Sequence, residues 1–475
     1  VADQDTGDIQ YFAQQKKIYP RRVFGRFRQL KWAVMIMTLG IYYFVPFIRF
    51  DRGPNAPDQA VLIDMPNRKA YWFWIEIWPQ EVYILTGILI LAAVALFFVT
   101  SMFGRVWCGY FCPQTVWTDL YVWVERLVQG DRFSRQKLDE SPLSLEKIWK
   151  KGLTHFIWLG IAFWTGGAFV LYFNDAPTLL HDFITGNLSS TVWGFIGGLT
   201  FSTYLMAGYA REQVCTYMCP YARFQSAMFD PDTLIIGYDP VRGEPRGKHK
   251  KGDPWDGRGH CVDCTACVQV CPMGIDIRKG LQMECIACGL CIDACDEIMA
   301  KVELPKGLIR YDTDRNFQLL AEGKPEQKFH LYRARTFYYV AIMALVGGVM
   351  LNALIGRKPL ELHVLHDRNP LYVTLSDGTV RNGYDIKILN KTNEDKVFSV
   401  EISGLKDAAL SVKTAGDITA DSLPVESGGI GAYHVFVTAP KDEEIEDDVV
   451  FTLTDKKTGE TSAYKGVFIK GDMSQ

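Results

Sequence analysis

At 475 residues with a formal net charge of −3, the chain has room for two to four domains and lacks the basic excess that a nucleic-acid partner would call for. Its mean hydropathy of zero averages over strongly segregated stretches, which excludes a protein of uniform character. Twelve cysteines in so long a chain also speak against a small secreted disulfide scaffold.

Residues 1–29 form a polar, basic lead expected to lie against anionic headgroups or to act as a topology signal. Apolar runs long enough to cross about 30 Å of hydrocarbon then fall at residues 30–50, 82–103, 153–173, 192–210 and 337–355, predicting five transmembrane helices. The fourth is thinned by Gly194, Gly197, Gly198 and Gly208, small residues that also permit close helix packing in lipid. The first run is too long for a signal-peptide core and lacks a small-residue cleavage site, so it reads as a span. Between the first two runs, Tyr71, Trp72, Phe73, Trp74 and Trp78 have the character of a membrane-interface belt.

Seven Lys and Arg precede or open the first run and eight lie between the second and third, against three and zero in the opposite loops. By the positive-inside rule the N-terminus and every cysteine face the cytoplasm, and five crossings put the C-terminus outside. Thiols stay reduced in that compartment, and the exported tail carries no cysteine.

A C-x3-C-P motif follows the second run, as Cys108, Cys112 and Pro113, and again follows the fourth, as Cys215, Cys219 and Pro220. Helix plus motif is thus a parallel internal repeat that would carry four thiols to one side of the bilayer. Pro113 suits the first turn of a helix, and Val116, Trp117, Leu120, Val124, Leu127 and Val128 have helical spacing, so Cys112 is expected at a helix N-terminus, where the dipole favours thiolate. Four such thiols suit Cu(I), a third iron-sulfur cluster or dithiol cycling, and equally suit inert packing. Met102 and Met218 are candidate thioether neighbours, and His155 is the one histidine at a membrane edge.

Residues 231–334 read as a soluble insertion around Cys261, Cys264, Cys267 and Cys271, then Cys285, Cys288, Cys291 and Cys295. Each half is C-x2-C-x2-C-x3-C, the spacing that wraps 4Fe-4S clusters in thiolate, whereas structural zinc takes four ligands as two separated pairs. The fourth cysteine of each run crosses over in such folds. This assigns Cys261, Cys264, Cys267 and Cys295 to one cluster and Cys285, Cys288, Cys291 and Cys271 to the other. Asp296 stands where a proline would complete the second half, leaving the turn after Cys295 less defined.

From Pro359 to Gln475 the composition turns acidic, with a net charge of minus eight. Alternating runs at 371–375, 384–389, 397–402, 409–412, 433–437, 449–453 and 463–469, with turn signals such as Asp377-Gly378, predict an immunoglobulin-like β-sandwich. His363, His366 and His434 are expected to pack or to face solvent there rather than to bind metal.

The reading is therefore multidomain: a basic segment 1–29, a four-helix membrane domain 30–230, a ferredoxin-like domain 231–334 carrying two 4Fe-4S clusters, a fifth transmembrane helix within 335–358 and an immunoglobulin-like sandwich 359–475. The doubled C-x3-C-P motif, the run CVDCTACVQVCPMGIDIRKGLQMECIACGLCIDAC and the β-rich tail, in this order, resemble the FixG/CcoG family of membrane polyferredoxins along nearly the whole chain. The resemblance implies a multi-pass protein of the bacterial inner membrane with a cytoplasmic ferredoxin domain and a periplasmic tail. It implies reduction of Cu(II) to Cu(I) at Cys108, Cys112, Cys215 and Cys219 during assembly of a cbb-type cytochrome c oxidase, with copper ions, copper chaperones or oxidase assembly factors as partners and an unidentified electron donor. The C-x3-C-P motif is also similar to that of quinol-oxidising polyferredoxins feeding respiratory reductases. A non-enzymatic assembly scaffold is the third alternative.

Overall fold

The computed structural model describes residues 17–53, 55–248, 257–405, 407–413, 418–440 and 449–469. The chain forms two compact units, residues 1–48 with 59–350, and residues 49–58 with 351–475.

Four helices among the described residues are long and apolar enough to span a membrane: Arg26–Phe47, Pro79–Phe103, Leu145–Val170 and Ala334–Ile355. The remaining expected span, 192–210, is a 14-residue α-helix, Ser190–Thr203, that runs on into π-helical Tyr204–Ala210. Glycine-rich sequence and the change of helical pitch keep this segment from matching the other four, so a count of five is not established. A three-stranded antiparallel sheet, Val61–Asp64, Lys69–Trp72 and Ile75–Ile77, fills the loop after the first span. It leaves Trp72, Phe73 and Trp74 exposed, whereas Tyr71 and, just past the sheet, Trp78 are buried, so two of the five rings expected in an interface belt are not free to serve it.

The basic lead is tied into the fold at its C-terminal end. Arg28 and Lys31 are buried, and Arg28 donates from Nη1 to both carboxylate oxygens of Asp119 at 2.9 and 2.8 Å. Burial would raise the Asp119 pKa, but Lys31 and Arg28 together hold it below the ordinary carboxylate value. The expectation of headgroup contact therefore fails for Arg28, whose charge is consumed inside the fold, while Arg21, Arg22 and Arg26 of the lead are exposed. The backbone N–H of Arg28 also donates to Asp293 at 2.8 Å, which ties the start of the first span to the ferredoxin helix Leu290–Lys301.

In the ferredoxin lobe an antiparallel pair, Leu234–Tyr238 and Ile309–Thr313, packs with Leu290–Lys301 around Ile236, Met299, Leu308 and Ile309. Asp296 is explained here. The helix continues past Cys295 to Lys301, so proline has no turn to make, and Asp296 Oδ1 accepts the Gly307 N–H at 2.9 Å.

The second unit is a two-sheet antiparallel sandwich. One sheet has the order Ala409–Lys413, Ile430–Pro440, Thr379–Asn390, Leu360–His366, with Val373–Thr374 also paired to Thr379–Asn390. The other runs Leu423–Val425, Lys396–Ser403, Val449–Asp455, Thr461–Gly466. Alternate residues point inward, so Ile386 and Ile388 meet Val400, Phe451 and Leu453 in one apolar core. Each such side chain contributes roughly 1.5–3 kcal/mol on burial.

Candidate iron-sulfur and thiol site

The two halves of the ferredoxin motif fold alike. Each first cysteine opens a turn that leads into a helix, Ala266–Val270 or Leu290–Lys301. The second and fourth residues after it have positive φ in both halves: Asp263 at 48° and Thr265 at 55°, Ala287 at 51° and Gly289 at 74°. Left-handed backbone costs a non-glycine residue roughly 1–2 kcal/mol. Three such residues in equivalent places mark turns shaped around something they enclose.

Cys261, Cys264, Cys267 and Cys295 line one cavity together with Ile298, Met299, Leu308 and Ile309. Cys271, Cys285, Cys288 and Cys291 line a second, with Cys267 on its wall and Ile236 and Ile277 beside it. Helix Leu290–Lys301 carries Cys291 toward the second cavity and Cys295 toward the first, because residues four apart share one helix face and are offset by about 6 Å along the axis. Two sets of four sulfurs in apolar surroundings fit a pair of 4Fe-4S clusters. Burial pushes Cys267, Cys271 and Cys295 up to about 12 as bare thiols, so their conversion to thiolate ligands depends on bound metal.

The two membrane motifs also fold alike. Cys112 and Cys219 are the N-cap residues of Pro113–Gln129 and Pro220–Met228, each extended and each followed by proline at the first helical position. All four sulfurs are electrostatic neighbours: Cys108 senses Cys112 and Cys219, and Cys215 senses Cys112, Cys108 and Cys219. Their spread is wide. The one group of three metal-ligating atoms mutually within 4.8 Å among the described residues is Asp367, Asp385 and His434 in the sandwich, so no three of the motif sulfurs are that close. Burial pushes Cys108 up to about 11 and Cys215 up to about 12 despite the opposing charge of Arg105.

Cys108 Sγ donates to Gln225 Oε1 at 3.3 Å; Gln225 is fully buried and its Nε2 has no hydrogen-bond partner. Arg105 is buried as well, with its guanidinium donating to the carbonyls of Met283 and Ala222 and lying 3.5 Å from that of Cys285. The expected thioether neighbours do not converge here. Met102 Sδ is engaged by Arg333 Nη2 at 3.3 Å and Thr336 Oγ1 at 3.2 Å, while Met218 is exposed.

The membrane motif and the ferredoxin turn are in direct contact. A Cβ at Gly109 would lie 2.7 Å from the carbonyl oxygen of Ile286, 3.0 Å from that of Ala287 and 3.1 Å from Cys288 Cα. Only glycine lets the backbones approach this closely. Tyr110 Oη donates to the Cys288 carbonyl at 3.0 Å, and Tyr311 Oη donates to that of Ala287.

Residues 210–314 match a family described as a 4Fe-4S dicluster domain, residues 85–131 one described as a 4Fe-4S binding domain, and residues 350–471 one described as an IG-like fold at the C-terminus of FixG. The nitrogen fixation protein FixG of Rhizobium meliloti is 46% identical over 490 residues, covering 96% of this chain and 93% of that protein. The chain belongs to the FixG family. Protein RdxB of Cereibacter sphaeroides is 49% identical over 86% of this chain and 86% of its own length. The ferredoxin-type protein NapH of Haemophilus influenzae is 25% identical over 45% of this chain and 67% of its own length. This FixG-family chain is a membrane-associated iron-sulfur electron-transfer protein with an immunoglobulin-like C-terminal domain.

Sequence reasoning missed Gly109, Arg105 and Gln225. Gly109 lies inside the C-x3-C-P motif, and Arg105 entered only as a topology charge. Gln225 has no local signal, since its importance comes from a fold that carries Pro220–Met228 back to Cys108. In the sandwich, His366 hydrogen-bonds Asn382, and His434 sits between Asp367 and Asp385 at 3.5 and 3.3 Å with a different ring nitrogen toward each, which makes it a member of the three-ligand group described above.

Proposed function

We propose that the chain is a membrane electron-transfer protein that reduces Cu(II) to Cu(I) at the Cys108, Cys112, Cys215 and Cys219 quartet, in the service of assembling a cbb-type cytochrome c oxidase. Cys261, Cys264, Cys267 and Cys295 hold one 4Fe-4S cluster, and Cys271, Cys285, Cys288 and Cys291 hold the other. Bound there, the two clusters supply electrons one at a time, the stoichiometry that Cu(II) reduction needs. The observation that carries the reading is the close approach at Gly109, with no side chain between the membrane motif and the Cys285 to Cys288 turn. Tyr110, Tyr311 and Arg105 pin that turn through its carbonyls, which keeps the two elements in fixed register. Soft sulfur donors favour Cu(I) over Cu(II), so the quartet adds driving force for the reduction.

The Lys and Arg distribution supports a ferredoxin lobe on the cytoplasmic face of the bacterial inner membrane and a periplasmic sandwich. Copper chaperones or oxidase assembly factors are then the partners for the product. The test is steady-state cupric reduction by the anaerobically purified Cys108→Ser/Cys215→Ser protein. We expect reduction to be abolished while the ferredoxin lobe keeps its clusters, and unaltered turnover would reject the role.

A second reading, oxidation of a membrane quinol, is favoured by a cavity of about 500 Å³ lined by His155, Trp158, Tyr209, Glu125, Arg211 and Glu212. His155 Nδ1 pairs with Tyr204 Oη at 3.0 Å at its edge. Electron transfer from a short-chain hydroquinone, with and without His155→Leu, separates a quinol-fed protein from one fed by a soluble donor.

A further inference from the structure

The relay reading leaves open what the membrane quartet holds. We propose that Cys108, Cys112, Cys215 and Cys219 together ligate a third 4Fe-4S cluster, built across the two copies of the C-x3-C-P motif. The proposal rests on that reading only for the place of the quartet in the electron path, and it replaces direct copper ligation by these four thiols with copper reduced beside the cluster they hold. Four observations support it.

The sulfurs are not gathered as a single four-coordinate ion requires. A single tetrahedral ion with metal–sulfur bonds of about 2.3 Å sets its sulfurs about 3.8 Å apart, whereas no three of these four lie mutually within 4.8 Å. The eight ferredoxin cysteines show the same wider spread, since no three of them meet that limit either. The quartet is thus not closed around one tetrahedral ion, and in this it matches the eight ferredoxin cysteines.

The ligand count also closes. The stretch 85–131, which matches a 4Fe-4S binding domain, contains Cys108 and Cys112 alone, two short of the usual four. The fold brings up the second copy of the motif: Arg105 Nη2 donates to the Ala222 carbonyl, Cys108 reaches Gln225, and Gln114 Nε2 donates to the Arg211 carbonyl at 3.1 Å. Cys215 and Cys219 are the cysteines this copy supplies.

Gln225 points to an acceptor at the site. Its side chain is fully buried and its Nε2 donors are unmatched while Cys108 is a thiol. A buried donor left without a partner costs about 1–3 kcal/mol. Once Cys108 is a thiolate it can only accept, and the amide turns to present N–H to cluster sulfur while its Oε1 takes the side toward the Tyr221 hydroxyl, a side-chain neighbour of Gln225. The same contact is of the kind that sets a cluster's reduction potential.

Arg105 places a buried cation against this anionic group, and its carbonyl partners include Met283 and Ala222, one from the ferredoxin lobe and one from the second motif. Through Gly109, the quartet is also a direct neighbour of the turn bearing Cys285 and Cys288. A third cluster there would extend a chain of one-electron carriers into the membrane domain, with cupric ion as a substrate outside it.

The experiment is iron and acid-labile sulfide per full-length chain, with EPR of the reduced protein, after anaerobic purification. We expect about twelve of each in the wild type and about eight in Cys112→Ser/Cys219→Ser, as three clusters reduced to two require. About eight irons in the fully active wild type overturns the proposal without reference to any variant, and so does copper co-purifying with the quartet in place of iron. Gln225→Leu is the second arm. It should keep about twelve irons and shift the reduction potential of one cluster while two stay put, and unchanged potentials throughout would overturn the role of its amide. Cupric reduction on the same samples separates the two claims. Eight irons with full reduction overturns the third cluster and leaves the relay standing, whereas twelve irons with no reduction supports the cluster and rejects the cupric role.

Discussion

Replacing Gly109 by alanine adds one methyl group where three backbone atoms already stand, at 2.7, 3.0 and 3.1 Å. Ordinary contact begins near 3.4 Å, so the Cys285 to Cys288 turn must retreat by about 0.7 Å. It cannot do so freely. Tyr311 holds the Ala287 carbonyl, Tyr110 holds that of Cys288, and Arg105 lies against that of Cys285. Overpacking of this kind costs typically about 1–3 kcal/mol, equivalent to about a 5- to 150-fold weakening of the packing between the ferredoxin turn and the membrane motif. The assay is anaerobic stopped-flow: dithionite-reduced protein is mixed with cupric ion, and recovery of visible absorbance reports reoxidation. Gly109→Ala should lower the thermal midpoint and slow reoxidation while retaining wild-type iron content. Gly198→Ala, at a site with open space around the added carbon, serves as the control and should behave as wild type. Wild-type stability and wild-type reoxidation in Gly109→Ala would refute the argument that this contact couples the two parts.

Three further outcomes follow from other parts of the molecule. Asp119→Asn strands the buried Arg28 and Lys31, and removing one partner of a buried ion pair costs about 3–5 kcal/mol; thermal unfolding of the detergent-solubilised protein should show a loss of that order, and a change below about 1 kcal/mol would contradict the pairing. In the sandwich, burial opposes ionisation of Asp455, but Lys396 at 2.6 Å and Thr458 at 2.7 Å hold its pKa down to about 2, from 3.8. Because the folded value is depressed, its contribution is present above pH 3.8 and disappears as pH falls toward about 2, so hydrogen-exchange protection of Val449–Asp455 should fall through that window. Asp455→Asn should lose protection at all pH values and show no step there. Deleting residues 359–475 should leave cupric reduction intact in vitro, since the thiols and both ferredoxin cavities belong to the other compact unit; loss of reduction on correctly folded protein would favour a scaffold.

How much was legible in the sequence depended on how local the cause was. The crossed grouping of Cys271 and Cys295 could be expected because the fourth cysteine of each C-x2-C-x2-C-x3-C run crosses over in two-cluster ferredoxin folds. Most sandwich strands were visible through alternation. Leu360–His366 was passed over although Leu360, Leu362 and Val364 alternate inward, because it follows the last membrane helix within a few residues and has no turn signal before it. Leu423–Val425 is short and contains Pro424, which weakens any strand pattern. Arg28 looked like a headgroup contact because its partner, Asp119, is about ninety residues away, a separation on which charge counting is silent. The same distance hid Gln225 from Cys108, whereas the symmetric placement of Cys112 and Cys219 was legible from the following prolines.

The central claim is that electrons leave the ferredoxin lobe by way of the membrane quartet. Freeze-quench EPR on the reduced Cys108→Ser/Cys215→Ser protein, mixed anaerobically with cupric ion, addresses it in one turnover. The signals of the ferredoxin clusters should persist in the variant over times at which the wild type has lost them, with the Cu(II) signal undiminished. Equal decay of both signals in variant and wild type would show that copper takes its electrons by another route.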